Sequence, residues 1–512
     1  MRVRTTFYSW MMAAVGVVWL VQPACGQREG AGVPRSAPAG SAVAEVPEPA
    51  REFRGAWVAT VANIDWPSEP GLPAASQRAE ADAIVRGARE RGLNALVLQV
   101  RPACDALYRS SIEPWSEFLT GESGKAPDDG YDPLEYWIAL CRANGLQLHA
   151  WVNPFRARHF QSKKPDAPSH ISKARPDLVK TYGEFLWLDP GEKDAQDHAV
   201  RVILDIVRRY DIDGVHIDDY FYPYPKAGVA FPDDDSYRRY RLGGGELARG
   251  DWRRSNIDGF VERLYRETKA AKPHVKVGVS PFGIWRPDHP AGVKGMDAYE
   301  QIFADAKLWL ERGWMDYCAP QLYWRVDAPQ QPFGPLLDWW VSRNLKGRHV
   351  WPGLYASRVL PNEKQRWEPA EVVRQIEERR KRAGSTGEIH FSIKALVGRE
   401  GGGMGGALST GPYAGFALPP ATPWLRAPAL PRVEVEPGRT SRAVLTPAPG
   451  AEGQRLVVSS RVGGEWSHRV VWTREAAVVI DAAAGASEVA VRAFGRTGEL
   501  GPAARAGLGG AR

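Results

Sequence analysis

The sequence predicts an eightfold β/α barrel followed by a small all-β sandwich. Two observations carry the barrel. Between residues 51 and 425 a short apolar run is followed by a helical stretch eight times over, and no Gly-rich turn of the doubly wound alternative follows the first run. A third observation carries the sandwich: past Pro419 the helical pattern stops, and short alternating runs separated by Gly take over.

The strands are expected at Gly55–Thr60, Ala95–Arg101, Leu146–Pro154, Gly214–Tyr220, Val275–Phe282, Met315–Trp324, Val350–Ser357 and Ile389–Ala395. Helical spacing between them covers Ser76–Arg91, Pro133–Asn144, Asp194–Tyr210, Ile257–Ala271, Tyr299–Arg312 and Pro369–Ala383, several of them followed by Gly or Asn as a stop signal. In the tail, "RLVVSSRV", "HRVVWT", "AAVVID" and "EVAVRAFG" read as strands of a domain over residues 428–507. Its close, "VAVRAFGRTGELGPAA", resembles the last strand of a fibronectin type III-like module. Such a module serves either as a spacer that packs on the barrel or as a carbohydrate binder.

The N-terminus reads as an address. Arg2 and Arg4 precede an apolar run from Phe7 to Val21, too short to span a bilayer and followed by small residues, which is the pattern of a secretory signal over residues 1–25. Cys25 follows Ala24 as a lipid-modified Cys would, although Gln22 and Pro23 fit that signal poorly, so lipidation, plain cleavage and an uncleaved anchor all stay open. Residues 26–50, rich in Gly, Ala, Pro and Ser, read as a flexible linker. Export to the periplasm or envelope is the expectation.

Composition excludes several functions. A net charge of +7 is spread over 67 basic and 60 acidic residues with no basic block, so no nucleic-acid partner is expected. Four cysteines without CxxC or Cys/His spacing argue for neither a zinc site nor a disulfide framework, and a Cys104–Cys141 bridge competes with buried thiols. No metal or cofactor is expected. The Gly-rich run Gly398–Ala407 lacks the Lys-Ser/Thr ending of a phosphate loop and reads as the eighth loop. Twenty Trp is high for this length, and Trp near strand ends is either core or a platform for sugar rings.

In such a barrel the chemistry collects at the C-terminal strand ends. The first offers Asn63, Asp65 and Trp66; the second Gln99, Arg101 and Asp105; the third His149, Trp151, Asn153 and Arg156. The fourth, "DGVHIDDYFYP", ends in His216, Asp218, Asp219 and Tyr220; the fifth in Ser280, Phe282 and Trp285; the sixth in Gln321, Tyr323 and Trp324; the seventh in Tyr355; the eighth in Ser392 and Lys394. Acids, amides and aromatic rings together suit a polysaccharide substrate. Arg101, Asn153, His216, Tyr220, Gln321, Tyr323 and Trp324 are its expected contacts.

Glycosidic cleavage needs two carboxyl groups. Two-residue alternation turns Gly214, His216 and Asp218 inward, so Asp218 is the expected nucleophile or base. Asp219 would face away unless the strand has already broken. Asp65, Asp105, Glu113 and Asp189 are the candidates for the other carboxyl, with Asp65 or Glu113 preferred as acid partner. Bland readings stand beside these: Asp218 could be a buried partner of Arg101 or Arg156, and His149 and His216 could be hydrogen-bonded core residues. The fifth strand end, "VGVSPFG", has no acid, which keeps a non-catalytic glycan-binding or scaffolding protein as the competing class.

The segments "RGAWVATVANIDWPS", "LHAWVNPFRAR", "DGVHIDDYFYPYP", "SPFGIWR" and "APQLYW", in this order, resemble glycosyl hydrolase-like family ten, secreted or lipoprotein barrels of bacteria. The resemblance covers residues 51–425. It implies a (β/α)8 glycosidase acting on cell-wall glycan of the peptidoglycan type. Position by position, it places the family's strand-four acids on Asp218 and Asp219, its strand-three amide on Asn153, and its strand-six Gln and Tyr on Gln321 and Tyr323.

Overall fold

Runs of Val, Ile, Leu and Ala bounded by Gly and Pro form parallel strands wherever helices cover the outer face of the sheet. In the computed structural model, which describes residues 45–398, 403–436, 441–446 and 453–508, these strands are β1 (Phe53–Val58), β2 (Ala95–Arg101), β3 (Gln147–Val152), β4 (Gly214–Ile217), β5 (Lys276–Val279), β6 (Tyr317–Cys318), β7 and β8 (Gly387–His390). β7 comes in two pieces, His349–Val350 and Gly353–Leu354, interrupted at Trp351–Pro352. Its first piece pairs with β6 (Tyr317 beside His349) and its second with β8 (Gly353 beside Ile389). With β8 on β1 and each remaining strand on the next, the sheet closes as a parallel α/β barrel. The N-terminal leader, Cys25 and nearly all of the linker lie outside the described residues, as does the middle of the Gly-rich run.

Helices α1 (Ala74–Glu90), α2 (Pro133–Ala143), α3 (Lys193–Arg209), α4 (Arg249–Ala271), α5 (Ala306–Arg312), α6 (Phe333–Ser342), α7 (Pro369–Arg380) and α8 (Met404–Thr410) follow the strands in turn. α2 shows why its boundaries were readable. Asp132 caps it by accepting from Glu135 N at 3.3 Å, Pro133 opens it, and Asn144 ends it, a start worth about 1 kcal/mol. The predicted helix over Tyr299–Arg312 is two pieces, because Phe303 takes a positive φ of 54° and Asp305 restarts the chain by capping Leu308 N. α4 begins eight residues before its predicted start, at Arg249, over a polar stretch with no apolar rhythm.

The sixth strand shrinks from its predicted ten residues to Tyr317–Cys318, and the fourth and fifth stop early as well. Pro281 and Pro320 stand just past the ends of β5 and β6, where a missing N–H stops a ladder. The barrel interior is aromatic. Phe53 stacks on Trp351 with centroids 3.8 Å apart, and Tyr317, Trp57 and Trp151 complete the packing. Six Trp side chains are fully buried and belong to the core. Cys104, Cys141 and Cys318 are buried free thiols, and the bridge considered from the sequence is not formed.

The C-terminal domain has strands β9 (Arg432–Glu436), β10 (Ser441–Thr446), β11 (Gln454–Val462), β12 (Glu465–Thr473), β13 (Ala477–Ile480), β14 (Glu488–Phe494) and β15 (Ala504–Gly507). They form two antiparallel sheets, β9-β10-β13 and β12-β11-β14-β15. This sandwich docks on the barrel face opposite the strand ends. Arg455 donates to Asp213, the residue just before β4, at 2.7 Å, and Arg496 donates to Ile212 O at 2.9 Å.

Candidate active site

Asp218 and Asp219 stand just past the last residue of β4, and both line a cavity of about 280 Å³ at the C-terminal end of the barrel. The strand breaks at Ile217, so the alternation that would have sent Asp219 outward no longer applies. Each acid is almost completely buried, 5% and 3% exposed. Rings of Trp57, Trp151, Tyr220, Tyr224, Tyr323, Tyr355 and Phe391 share the lining with them.

The two carboxyls have different partners. Asp218 Oδ2 accepts from Asn153 Nδ2 at 2.5 Å and from Trp151 Nε1 at 3.1 Å, and its Oδ1 accepts from Tyr220 N at 3.4 Å. Burial raises its pKa, while the nearby Arg156 guanidinium and these donors oppose the rise. Asp219 accepts from the Tyr224 hydroxyl. Burial first and the neighbouring Asp218 second push it up to about 7, against hydrogen bonds from Tyr224 and Gln321. Two acids this close share protons, and the one with fewer compensating charges keeps its proton longer. Asp219, with no guanidinium among the groups that oppose its rise, is the member of the pair that holds a proton more strongly.

The amides beneath them are locked in orientation. Gln99 Oε1 accepts from Thr60 N and Val61 N, both at 2.9 Å, so its Nε2 must donate, and it does so to Asn153 Oδ1 at 2.6 Å. Arg156 Nη2 donates to the same Oδ1 at 2.8 Å. With its oxygen occupied, Asn153 has only its NH₂ to offer Asp218.

The family described as Glycosyl hydrolase-like 10 matches over residues 52–367. The chain belongs to that family. Two relatives are similar over more than half of the chain. Glycosyl hydrolase YngK of Bacillus subtilis is 41% identical over 388 residues, 73% of this chain and 74% of that protein. Glycosyl hydrolase DigH of Escherichia coli K12 is 34% identical over 326 residues, 60% of this chain and 73% of that protein.

Within this Glycosyl hydrolase-like 10 barrel, Tyr220, Gln321 and Tyr323 line the cleft, as their strand-end positions suggested. Four other expected contacts stand elsewhere. Arg101 is fully buried behind the cleft, paired with Glu113 and donating to Asn153 O and Pro154 O. Asn153 is fully buried and holds Asp218 instead of facing the cavity. His216 lies one layer down inside the barrel. Its Nε2 accepts from the Trp57 indole at 3.1 Å, leaving Nδ1 to face the Tyr317 hydroxyl at 3.0 Å, and burial holds it neutral. Trp324 packs edge-on against Phe282 with centroids 5.7 Å apart.

The carboxyls considered as acid partner are also engaged elsewhere. Asp65 turns its oxygens to Ala59 N, Ser392 Oγ and Lys394 N, and burial lifts it to about 6. For Glu113, burial alone would raise the pKa, but Arg101 and His198 overcome it and hold the group down at about 2. Asp105 accepts from Ala103 N in a separate small cavity beside His170. Asp189 accepts from Gly191 N and Ser236 Oγ. Among the described residues lining the cleft, Asp218 and Asp219 are the only carboxylates.

Trp151, Arg156, Trp57 and Tyr224 line the cleft and were not among the expected contacts. Trp151 had a signal, since it shares the inward set with His149 and Asn153. Tyr224 had none, because it reaches Asp219 from an irregular loop.

Proposed function

We propose that this chain is an exported glycoside hydrolase that cuts glycosidic bonds in a bacterial envelope polysaccharide, with peptidoglycan glycan strands as the substrate. One observation carries the reading: two adjacent carboxyls, Asp218 and Asp219, with different hydrogen-bond partners, face an aromatic-walled cleft at the strand ends. A proton donor for the leaving oxygen and an anion for the developing positive charge are what glycosidic cleavage requires. Stacking surfaces on Trp151 and Tyr220 suit the apolar faces of sugar rings. Both relatives carry the name glycosyl hydrolase, which supports the reaction class. The signal-like N-terminus supports export, with Cys25 as the residue that would carry a lipid anchor.

The C-terminal sandwich is read as fibronectin type III-like from its three-plus-four strand order. Its place on the far face of the barrel supports a packing role.

The test is product analysis by mass spectrometry after incubating the mature protein, and its Asp218→Asn form, with peptidoglycan and with peptide-free glycan strands. Sugar fragments from the wild type alone support the reading. Fragments from both move the chemistry to another acid. Glycan retained by both proteins without fragments replaces the reading with a binding protein.

A further inference from the structure

We propose that the bond is broken with the substrate's own 2-acetamido group as nucleophile, so that Asp218 steers this group while Asp219 protonates the leaving oxygen. The inference rests on the glycosidase reading above and names the sugar class and the mechanism.

In the two common mechanisms a second carboxyl works from across the ring, either as nucleophile or by activating water on the opposite face. Here the two cleft carboxyls are consecutive in the chain and rise from one strand end. The facing wall, built from the ends of β1, β7 and β8, presents Ala59, Val61, Tyr355 and Phe391. The carboxyls of Asp65, Glu113, Asp105 and Asp189 are held by backbone, hydroxyl or guanidinium partners outside the cavity. Among the described residues, one wall can protonate the leaving oxygen and the other offers no carboxylate, so the nucleophile is sought elsewhere. A 2-acetamido sugar brings one, since the amide oxygen can reach its own C1.

The balance closes without a further reagent. The acetamido oxygen forms a bond to C1, and the C1–O bond to the leaving sugar breaks with its electron pair on that oxygen, which takes the proton of Asp219. The amide nitrogen becomes positive in the resulting oxazolinium ring, and the Asp218 carboxylate accepts a hydrogen bond from its N–H and stabilises that charge. Water then adds to C1, Asp219 takes the water's proton, and the ring opens to restore the acetamido group. Two displacements at C1 retain its configuration. Asp218 is prepared for this role by Asn153 and Trp151, whose donors both fall on Oδ2 and fix the carboxylate plane.

The test uses the mature full chain with peptide-free glycan strands, the same strands after N-deacetylation, and N-acetylglucosamine-thiazoline as a stable mimic of the oxazolinium. The expected result is cleavage of the acetylated strands with retention by NMR, a rate on deacetylated strands lower by about 100-fold or more, and competitive inhibition by the thiazoline. Asp219→Asn should lose cleavage yet keep thiazoline binding within about threefold, whereas Asp218→Asn should lose about tenfold or more of that binding. Inversion, equal rates on both glycans, or a 2-fluoro glycoside that becomes covalently fixed to an Asp would overturn this mechanism while leaving the glycosidase reading standing. Cleavage of neither glycan removes that reading, and this one with it.

Discussion

Asn153 Nδ2 donates to Asp218 Oδ2 at 2.5 Å because Asn153 Oδ1 is already taken by Gln99 and Arg156. The order of constraint runs from backbone to catalysis. Two N–H groups at Thr60 and Val61 fix Gln99, Gln99 fixes Asn153, and Asn153 aims the carboxylate. A buried network of this kind is satisfied in only one arrangement.

Asn153→Ala removes the shortest donor to Asp218. The pKa of Asp218 then rises further, since a lost donor disfavours the charged form. We expect kcat to fall roughly 10- to 100-fold with little change in KM, and the acid limb of the pH–rate profile to move to higher pH. An unmoved acid limb would show that Asn153 acts on something other than Asp218.

The Asp219 carboxyl gives a stability signature with a definite sign. Its folded pKa, about 7, lies above the unfolded value of about 3.9. The folded state thus binds the proton more tightly, and this contribution is complete below about pH 4 and lost as pH rises through 7. Asp219→Asn cannot ionise and still offers an oxygen to Tyr224. The variant should match the wild type at pH 4 and exceed it by about 4 kcal/mol at pH 8, read from urea denaturation at the two pH values. A difference that does not depend on pH would refute the assigned titration.

Gly278 in β5 is small because Tyr317 occupies the space beside it. A Cβ there would stand 1.9 Å from Tyr317 Cζ, and the Tyr317 hydroxyl joins His149 Nδ1 at 2.8 Å and His216 Nδ1 at 3.0 Å. Gly278→Ala should cost about 2–3 kcal/mol through overpacking. Because the His216–Trp57 contact lies directly under the cleft, activity should fall as well. Tyr317→Phe separates the two effects, since it keeps the ring's bulk and removes the shared hydroxyl. Thermal melts of both variants provide the measurement.

How much of this was legible from residues alone follows from what periodicity can encode. Apolar runs located all eight barrel strands, and two-residue alternation correctly turned His216 and Asp218 inward. It gave no depth. His216 and Asp218 share one inward row, yet the first is locked between Trp57 and Tyr317 while the second reaches the cleft one layer higher. The same blindness placed Arg101 and Asn153 on the substrate, although their polar atoms are spent on Glu113 and on Asp218. The three-stranded sheet of Arg156–Arg158, Val179–Tyr182 and Phe185–Leu188 was missed, because its strands are too short and mixed for any period to stand out. Prolines past β5 and β6 and inside β7 held the signal that would have shortened those strands.

The sandwich and the barrel bottom are joined by a buried ion pair, which sets the last prediction. Arg455 and Asp213 are 7% and 4% exposed, and Arg455 donates at 2.7 Å. Burial would raise the Asp213 pKa, but Arg455, Arg496 and Lys276 together hold it far below the usual carboxylate range. Removing one member of such a pair leaves the other charge buried with less compensation, at a cost of about 3 kcal/mol. Arg455→Ala should therefore destabilise the chain by roughly that amount. The cleft lies at the opposite end of the strands, so kcat at low temperature should stay within about twofold. Pairing it with Asp213→Asn removes both charges and should recover part of the loss. A double variant no more stable than Arg455→Ala alone would mean that packing around β11, not the ion pair, holds the two domains together.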